Sequence, residues 1–362
     1  MSNFKLLIAE DDESDINACR STVERYIHEK MRNIELVESR NVDDALTKID
    51  NTFDGAIIDL KLVAQGNEGN QVLKKIKESR FRIPVAVLTG TPSATDSEFT
   101  YIGVFTKGES GSGYSDILDI FWGIYNTGLT RIMGGRGKIE ETLNTVFTKN
   151  LLSQQKKWVA YGESDPVKTE KALLRHTLSH LQQLLDNDED RFFPEEVYIS
   201  PPLTDNVRTG SIVKDKSGEK QYMVMNPACD LVIREEGSFN TDRILLVEID
   251  LRQTVFPGFP TTGLSRKQQG ELESAFNNKK STYYHWLPMT GFFVGGFLNF
   301  RKMTTFTKDD FQQRFDKPKV QVSSSFVKDI VARFSSYYAR QGQPDINYDE
   351  FIVSNTAQPG QP

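Results

Sequence analysis

Five side chains in the first third of the sequence, Glu10, Asp11, Asp59, Thr89 and Lys107, are of types that suit phosphoryl transfer. Three carboxylates gathered at one place repel one another unless a hard cation lies among them. Magnesium takes oxygen ligands, commonly one or two carboxylates together with water and phosphate oxygens. An aspartate can also be the nucleophile toward phosphorus, forming an aspartyl phosphate. The transferring oxygens then need charge neutralisation, which a metal, a lysine ammonium and a hydroxyl supply. On that chemistry Asp59 is the nucleophile, Glu10 and Asp11 are the metal site, and Thr89 and Lys107 are phosphate ligands.

The elements that must position them are short apolar runs. Leu6-Leu7-Ile8-Ala9 leads into Glu10-Asp11, Ala56-Ile57-Ile58 into Asp59, Val85-Ala86-Val87-Leu88 into Thr89, and Val104-Phe105-Thr106 into Lys107. Such runs, alternating with helical patterns, read as parallel strands buried on both faces. The pattern predicts strands over 4–9, 34–37, 55–58, 84–88 and 102–106. Helices are expected over 14–29, 41–51, 70–79, 94–100 and 114–126, the fourth crowded with turn-forming residues. The fold class is therefore α/β, a doubly wound parallel five-stranded sheet. Ligands of such sheets bind outside the carboxyl ends of the strands, which puts all five residues on one rim.

With these residues in this order, the first 126 residues resemble a response-regulator receiver domain of two-component systems, similar to chemotaxis receivers. The resemblance implies that Asp59 accepts phosphate from a sensor histidine kinase or a phosphotransfer protein. It implies magnesium held by Asp11, Asp59 and the backbone carbonyl of Lys61, with Asp12 extending the acidic pair toward outer-sphere water. The chain departs from the family at three places. Gly108 follows the lysine where the family has proline, and suggests a more flexible loop. Val104 stands where the family has an aromatic switch residue, and Phe105, one position on, faces the other side of its strand. The segment from Leu60 to Gly69 is longer than usual and lacks the common proline. These departures leave phosphate uptake intact and put the usual threonine–aromatic relay in doubt.

The chain has 362 residues, 38% hydrophobic and 26% charged, which fits two or three folded domains rather than wholesale disorder. There is no apolar run long enough to span a bilayer and no leading signal pattern, so the expected location is the cytoplasm, away from membranes. Cys19 and Cys229 fall in different regions and imply no disulfide framework. Charge is uneven. Residues 1–130 carry 14 Lys/Arg and 21 Asp/Glu, a net of −7; of the chain's 44 and 50 that leaves 30 and 29, a net of +1. A sequence-reading DNA-binding domain usually shows a basic excess, and none is expected here.

Beyond the receiver-like region the pattern breaks at the glycines of 127–137, read as a linker. Residues 127–194 are expected to hold this linker and a helical hairpin, over about 138–161 and 165–186, opened at its second arm by Ser164-Asp165-Pro166. The hairpin is a candidate docking or homodimerisation element. Residues 195–354 read as an α+β domain with a small bent sheet or barrel. Its strand-like runs are 197–199, 222–225, 231–233, 244–249 and 292–297, with a hairpin turn at 216–219 and a final helix over 324–340. The tail, 355–362, is expected to be disordered.

Four further groups carry candidate chemistry. His176 and His180 are four apart on a helix and so share a face, a spacing that suits metal binding, phosphotransfer or a solvated edge. Cys229, in Asn226-Pro227-Ala228-Cys229-Asp230, is a nucleophile if His285 serves as its base, and otherwise a structural thiol at a turn capped by Asp230. Tyr283-Tyr284-His285-Trp286 reads as core or as a stacking surface. Arg333 and Arg340 with Tyr337 and Tyr338 read as an interaction face. The favoured function is a phosphoacceptor signalling protein whose C-terminal module binds another protein. The alternatives are a phosphate sink, on an architectural likeness to receivers of two-component-like defence systems, and a receiver-gated enzyme.

Overall fold

The computed structural model describes residues 3–62, 67–185, 191–218, 220–232, 239–340 and 345–349. The chain forms two compact units, Met1–Asp188 and Glu189–Pro362. The first opens with β1 (Phe4–Ala9), α1 (Glu13–Lys30), β2 (Ile34–Ser39), α2 (Val42–Lys48), β3 (Gly55–Ile58), α3 (Gly69–Glu78), β4 (Val85–Thr89), β5 (Gly103–Thr106) and α4 (Tyr114–Asn126). All strand pairs are parallel and the order is β2-β1-β3-β4-β5, a doubly wound sheet.

The central strands β1, β3 and β4 are largely apolar on both faces, and the two-residue period sorts their side chains. Leu7, Ile58, Val85 and Val87 pack with Ala45, Val72, Leu73 and Ile76 from α2 and α3. Leu6, Ile8, Ile57 and Ala86 pack with Cys19, Val23, Ile117 and Phe121 from α1 and α4. Truncating any of these buried leucines or isoleucines to alanine costs about 2–5 kcal/mol. Asp12 caps α1 by accepting from the amides of Ser14 and Asp15, and Met31, at φ 51°, ends it.

The helix expected over 94–100 does not form. A single 3₁₀ turn spans Pro92–Ala94, and the chain then runs irregularly into β5. The Asp96 side chain accepts from the Glu98 amide at 2.9 Å, and the Asp96 carbonyl accepts from the Tyr101 hydroxyl at 2.8 Å. These local bonds compete with a helical ladder, and Phe99 and Tyr101 fill the space against the core instead.

The glycine-rich run is not a free linker either. A short helix, α5 (Leu129–Met133), precedes it, and the Gly135 amide donates to the Asn51 carbonyl at 2.7 Å. Arg136 pairs with Asp54 at 2.9 Å, so this segment docks on the loop before β3. The first arm of the hairpin is broken. It comprises α6 (Lys138–Thr145), a π-helical turn at Val146–Leu151, a 3₁₀ turn at Leu152–Gln154 and α7 (Gln155–Ser164). The second arm is α8 (Pro166–Gln182), capped by Asp165. Val159, Tyr161, Val167, Leu174 and Leu178 of this hairpin are exposed.

The second unit contains β6 (Tyr198–Ile199), β7 (Ser211–Lys214), β8 (Gln221–Val224), β9 (Arg243–Asp250), α9 (Arg252–Val255), α10 (Arg266–Phe276), β10 (Tyr284–Leu287), β11 (Gly296–Thr307), α11 (Lys308–Arg314), β12 (Val320–Val322) and α12 (Ser324–Ala339). Its seven strands are all antiparallel, in the order β10-β11-β9-β8-β7-β12-β6. Flat, seven strands would separate the edges by roughly 29 Å at about 4.8 Å per step. Yet the Tyr198 hydroxyl of β6 donates to the carbonyl of Pro288, just past β10, at 2.7 Å. The sheet therefore curls into a half-barrel. A register shift between β9 and β11 at Leu298–Met303 marks a bend. Ile330 of α12 is fully buried in the core of the same sheet.

Several expectations need correction here. Leu231 is a buried turn residue, not a strand, and Ile233 lies outside the described residues. The run at 292–297 enters its strand only at Gly296, because Gly295 and Gly296 both have positive φ. Lys216 to Gly218 do turn between β7 and β8, with Glu219 outside the described residues. The tail read as disordered, 355–362, also lies outside them. No helix among the described residues is long and apolar enough to cross a membrane.

Candidate functional site

The carboxyl ends of β1, β3, β4 and β5 deliver Glu10, Asp59, Thr89 and Lys107 to one rim. The Lys107 Nζ lies 2.7 Å from Glu10 Oε2 and 2.7 Å from Asp59 Oδ2. Oxygens of Glu10, Asp11 and Asp59 fall within 4.8 Å of one another. Glu10 and Asp59 are buried, while Asp11 is exposed. The strand register fixes this convergence. The Asp59 amide donates to the Ala9 carbonyl at 2.9 Å, and the Lys107 amide to the Thr89 carbonyl at 3.1 Å.

Electrostatics follow from this packing. Burial pushes the Glu10 carboxyl up to about 7, against the opposing pull of its hydrogen bonds from Lys107 and the Asp12 amide. Burial also works against the Lys107 charge, but hydrogen bonds to Asp15, Asp59 and Glu10 outweigh it and hold the ammonium above the usual lysine range. Lys107 is thus a fixed cation between buried carboxylates. An all-oxygen set open to water on the Asp11 side fits a hard divalent cation. The Lys61 backbone lies against the same carboxylate, its amide donating to Asp59 Oδ1 at 3.1 Å.

Two members of the rim were not among the sequence candidates. Asp15, in the first turn of α1, reaches Lys107 Nζ at 2.7 Å, and no sequence pattern marks it. Gly69 opens α3 directly against the Asp59 backbone. A Cβ there would lie 2.1 Å from the Asp59 carbonyl oxygen. A glycine opening the helix after the Asp59 loop was the available signal. The Asp12 carboxylate also caps α1, accepting from the Ser14 and Asp15 amides.

The departures at β5 acquire a physical meaning. Gly108 has φ 84°, so it fills a left-handed turn that proline cannot adopt, a conformational requirement rather than added flexibility. Val104 is 40% exposed, whereas the Phe105 ring folds over Gly103 and packs with the α1/α4 core. The Thr89 hydroxyl lies 3.4 Å from the Thr91 hydroxyl and accepts from the Thr91 amide at 3.3 Å.

The other candidates are scattered. His176 and His180 stand on α8 with their Nε2 atoms 3.3 Å apart beside Trp158. Cys229 is exposed near Asp230, and His285 is buried in a cavity whose wall does not include Cys229. The structure does not bring that nucleophile–base pair together. Tyr284 and Trp286 pack into a core cluster with Phe297, and Tyr283 into another with Ile330. Arg333, Tyr337, Tyr338 and Arg340 lie along α12 and its end.

No protein-family model matches the chain, and no curated relative does. Among solved structures, its first third is similar to receiver domains of response regulators. The non-phosphorylated HemR receiver domain from Leptospira biflexa shares 19% identity over 33% of this chain and 92% of that domain, with a TM-score of 0.27. The N-terminal domain of a response regulator/sensory box/GGDEF protein from Carboxydothermus hydrogenoformans shares 19% over 34% and 98%, with a TM-score of 0.28. The signal receiver domain of the response regulator NarL from Mycobacterium tuberculosis shares 15% over 34% and 99%, with a TM-score of 0.27. These likenesses concern fold alone.

Proposed function

We propose that this protein is a phosphoacceptor of the response-regulator type, phosphorylated on Asp59. The observation that carries the reading is one ammonium, Lys107 Nζ, 2.7 Å from both Glu10 and Asp59 at the rim where Asp11 and Thr89 also converge. In the transfer, an Asp59 carboxylate oxygen attacks phosphorus. The bond from phosphorus to the donor's nitrogen or oxygen breaks, and the donor departs with the electron pair. Lys107 neutralises charge on the transferring oxygens, and the Thr89 hydroxyl donates to one of them. Magnesium, held by Glu10, Asp11, Asp59 and the Lys61 carbonyl, would supply further charge neutralisation. The chemistry of the donor fits a sensor histidine kinase or a phosphotransfer protein.

In this reading residues 1–126 receive the phosphoryl group and residues 195–354 form the output module, with the hairpin between them. The exposed Leu174 and Leu178 suit that hairpin to docking a protein partner or a second copy in the cytoplasm. Val104 supports a second reading. Without an aromatic at that position, the receiver would drain phosphate from a kinase without signalling onward. The primary test is incubation with acetyl phosphate and magnesium, read by intact mass. One base-labile phosphate is expected, absent in Asp59→Asn. Retained phosphorylation in that variant would sink the assignment.

A further inference from the structure

The second unit holds two cavities along one side of α12. One, of about 430 Å³, is lined by Phe276, Trp286 and Phe326, together with His285 and Asp329. The other, of about 590 Å³, is lined by Lys279, Arg333 and Arg340 with Ser281, Ser336 and Tyr337. Asn278 belongs to both walls. Its side chain accepts from the Trp286 amide at 2.7 Å, and its carbonyl accepts from Arg333 Nη2 at 3.1 Å. One residue, held at φ 57°, thus ties the aromatic cavity to the cationic one. Successive turns of α12 line both, Phe326 and Asp329 the first cavity and Arg333 and Ser336 the second. The axis advances about 15 Å from the first to the last of these at roughly 1.5 Å per residue.

We infer that this trough is a nucleotide site, with the base in the aromatic half and the phosphates in the basic half. Three observations converge on it. First, none of Lys279, Arg333 and Arg340 forms an ion pair among the described residues. Arg333 instead donates to the Asn278 and Tyr284 carbonyls at 3.1 Å, and Arg340 lies over the Tyr337 ring. Among the described residues no acid lines that cavity. Three cations facing one space without a carboxylate call for an anion, and arginine suits phosphate. Second, the other half offers flat apolar faces. The Phe276 and Trp286 rings lie 4.6 Å apart, and Phe192 packs edge-on against Phe326 at 5.4 Å. Aromatic faces of this kind stack bases. Third, His285 is 7% exposed, and its Nδ1 has no hydrogen-bond partner, the Asp329 carboxylate standing 3.8 Å away. A neutral imidazole and a carboxylate at an aromatic wall match the mixed acceptors and donors of a base edge. Ser281 Oγ and Arg333 Nε are also buried without partners. Three of the nine such atoms among the described residues therefore belong to this trough. Unsatisfied buried polar groups are costly, and a ligand that engages them explains their retention.

Equilibrium binding of labelled ATP and GTP to the full chain, at low salt and without divalent cations, tests the inference. At least one nucleotide should bind saturably, with tripolyphosphate competing and the bare nucleoside competing more weakly. Lys279→Gln combined with Arg340→Gln, both exposed, should weaken binding by at least about tenfold with an unchanged melting temperature. Phe326→Ala should weaken nucleotide but not tripolyphosphate. No saturable binding up to about 1 mM, or binding indifferent to the double variant, overturns the site. Equal binding of nucleotide and tripolyphosphate, both untouched by Phe326→Ala, overturns the base half. A single-stranded oligonucleotide binding far more tightly than either nucleotide overturns it in favour of nucleic acid. Because this trough and Asp59 lie in different units, failure here leaves the phosphoacceptor reading standing, and the converse holds.

Discussion

In the N-terminal unit every strand runs the same way, and in the C-terminal unit every strand opposes its neighbours. The consequence for chemistry is direct. A parallel sheet buried on both faces has no room for polar side chains except at its strand ends, so Glu10, Asp59, Thr89 and Lys107 collect on one rim. A curled antiparallel sheet has no such privileged edge. Its polar residues sit on faces, as where Asp250 is held by Asn299 at 2.8 Å and Lys302 at 2.6 Å, or in troughs made with a distant helix. The first arrangement concentrates charge into one buried cluster. The second disperses it among pairs that mostly satisfy each other.

The most severe way to break this comparison is to remove the cation from the rim. Lys107→Met should lower the rate of Asp59 phosphorylation by about 10²–10³-fold, the range for removing one preorganised charge-stabilising donor. Mass-resolved phosphorylation time courses check it. A rate within about threefold of wild type would mean that Lys107 only ties the loop down.

Next is Gly69, where α3 starts against the backbone of Asp59 and Leu60. With a Cβ only 2.1 Å from the Asp59 carbonyl, Gly69→Ala must displace α3 or the Asp59 loop. Overpacking of this kind costs about 1–3 kcal/mol. Thermal unfolding should shift accordingly and phosphorylation should slow with it. A stable variant with normal phosphorylation would show that the loop yields freely.

In the C-terminal unit the corresponding lever is a buried base rather than a buried acid. Burial, and secondarily the Arg333 charge, pushes His285 down to about 3. The folded state therefore holds His285 neutral while the unfolded chain protonates it near its ordinary value of about 6.5. Its contribution to stability is complete above that value and declines as pH falls from 6.5 toward 3, by at most about 1.4 kcal/mol per pH unit. His285→Gln should flatten urea-unfolding midpoints over pH 6 to 4. An equal slope in both proteins would assign the acid sensitivity elsewhere.

How much of each unit could be read beforehand follows the same division. Of the five N-terminal strands, β1, β3 and β4 were legible because their buried apolar runs are continuous, and the partly buried edge strands β2 and β5 were legible within two residues from their place in the alternation with helices. The missing fourth helix was not, since Asp96 and Tyr101 close local bonds that only the folded segment reveals. Nor was the docking of Gly135 and Arg136 on Asn51 and Asp54, which makes a wedge of what composition marks as a linker. In the second unit β7 and β12 escaped notice because strands of four and three residues carry too little pattern. In the aromatic run 283–286, Tyr284 to Trp286 belong to an edge strand, with Tyr283 and Tyr284 packed on core clusters and His285 and Trp286 lining a cavity.

The smallest effect expected is the one that would join the two units functionally. If phosphate on Asp59 switches the output module, it must favour one of two conformations by a differential free energy, typically about 1–3 kcal/mol. The usual route outward from the threonine is weakened here. Val104 presents no ring, and Phe105 is committed to the core with Phe4 and Phe121. The remaining route is the Thr89 hydroxyl, whose contacts with Thr91 must change when it turns to a phosphoryl oxygen. That moves the irregular segment from Pro92 to Tyr101, whose Phe99 and Tyr101 rings pack on the same core as α3. Coupling should therefore lie at the low end, about 1 kcal/mol. Hydrogen exchange with and without beryllofluoride on Asp59 measures it. Protection changes that reach residues beyond 189 would establish a switch. Changes that stop at the rim loops and the 92–101 segment would make the receiver a sink, because a conformational change that never leaves the phosphorylated unit has nothing to report to the other.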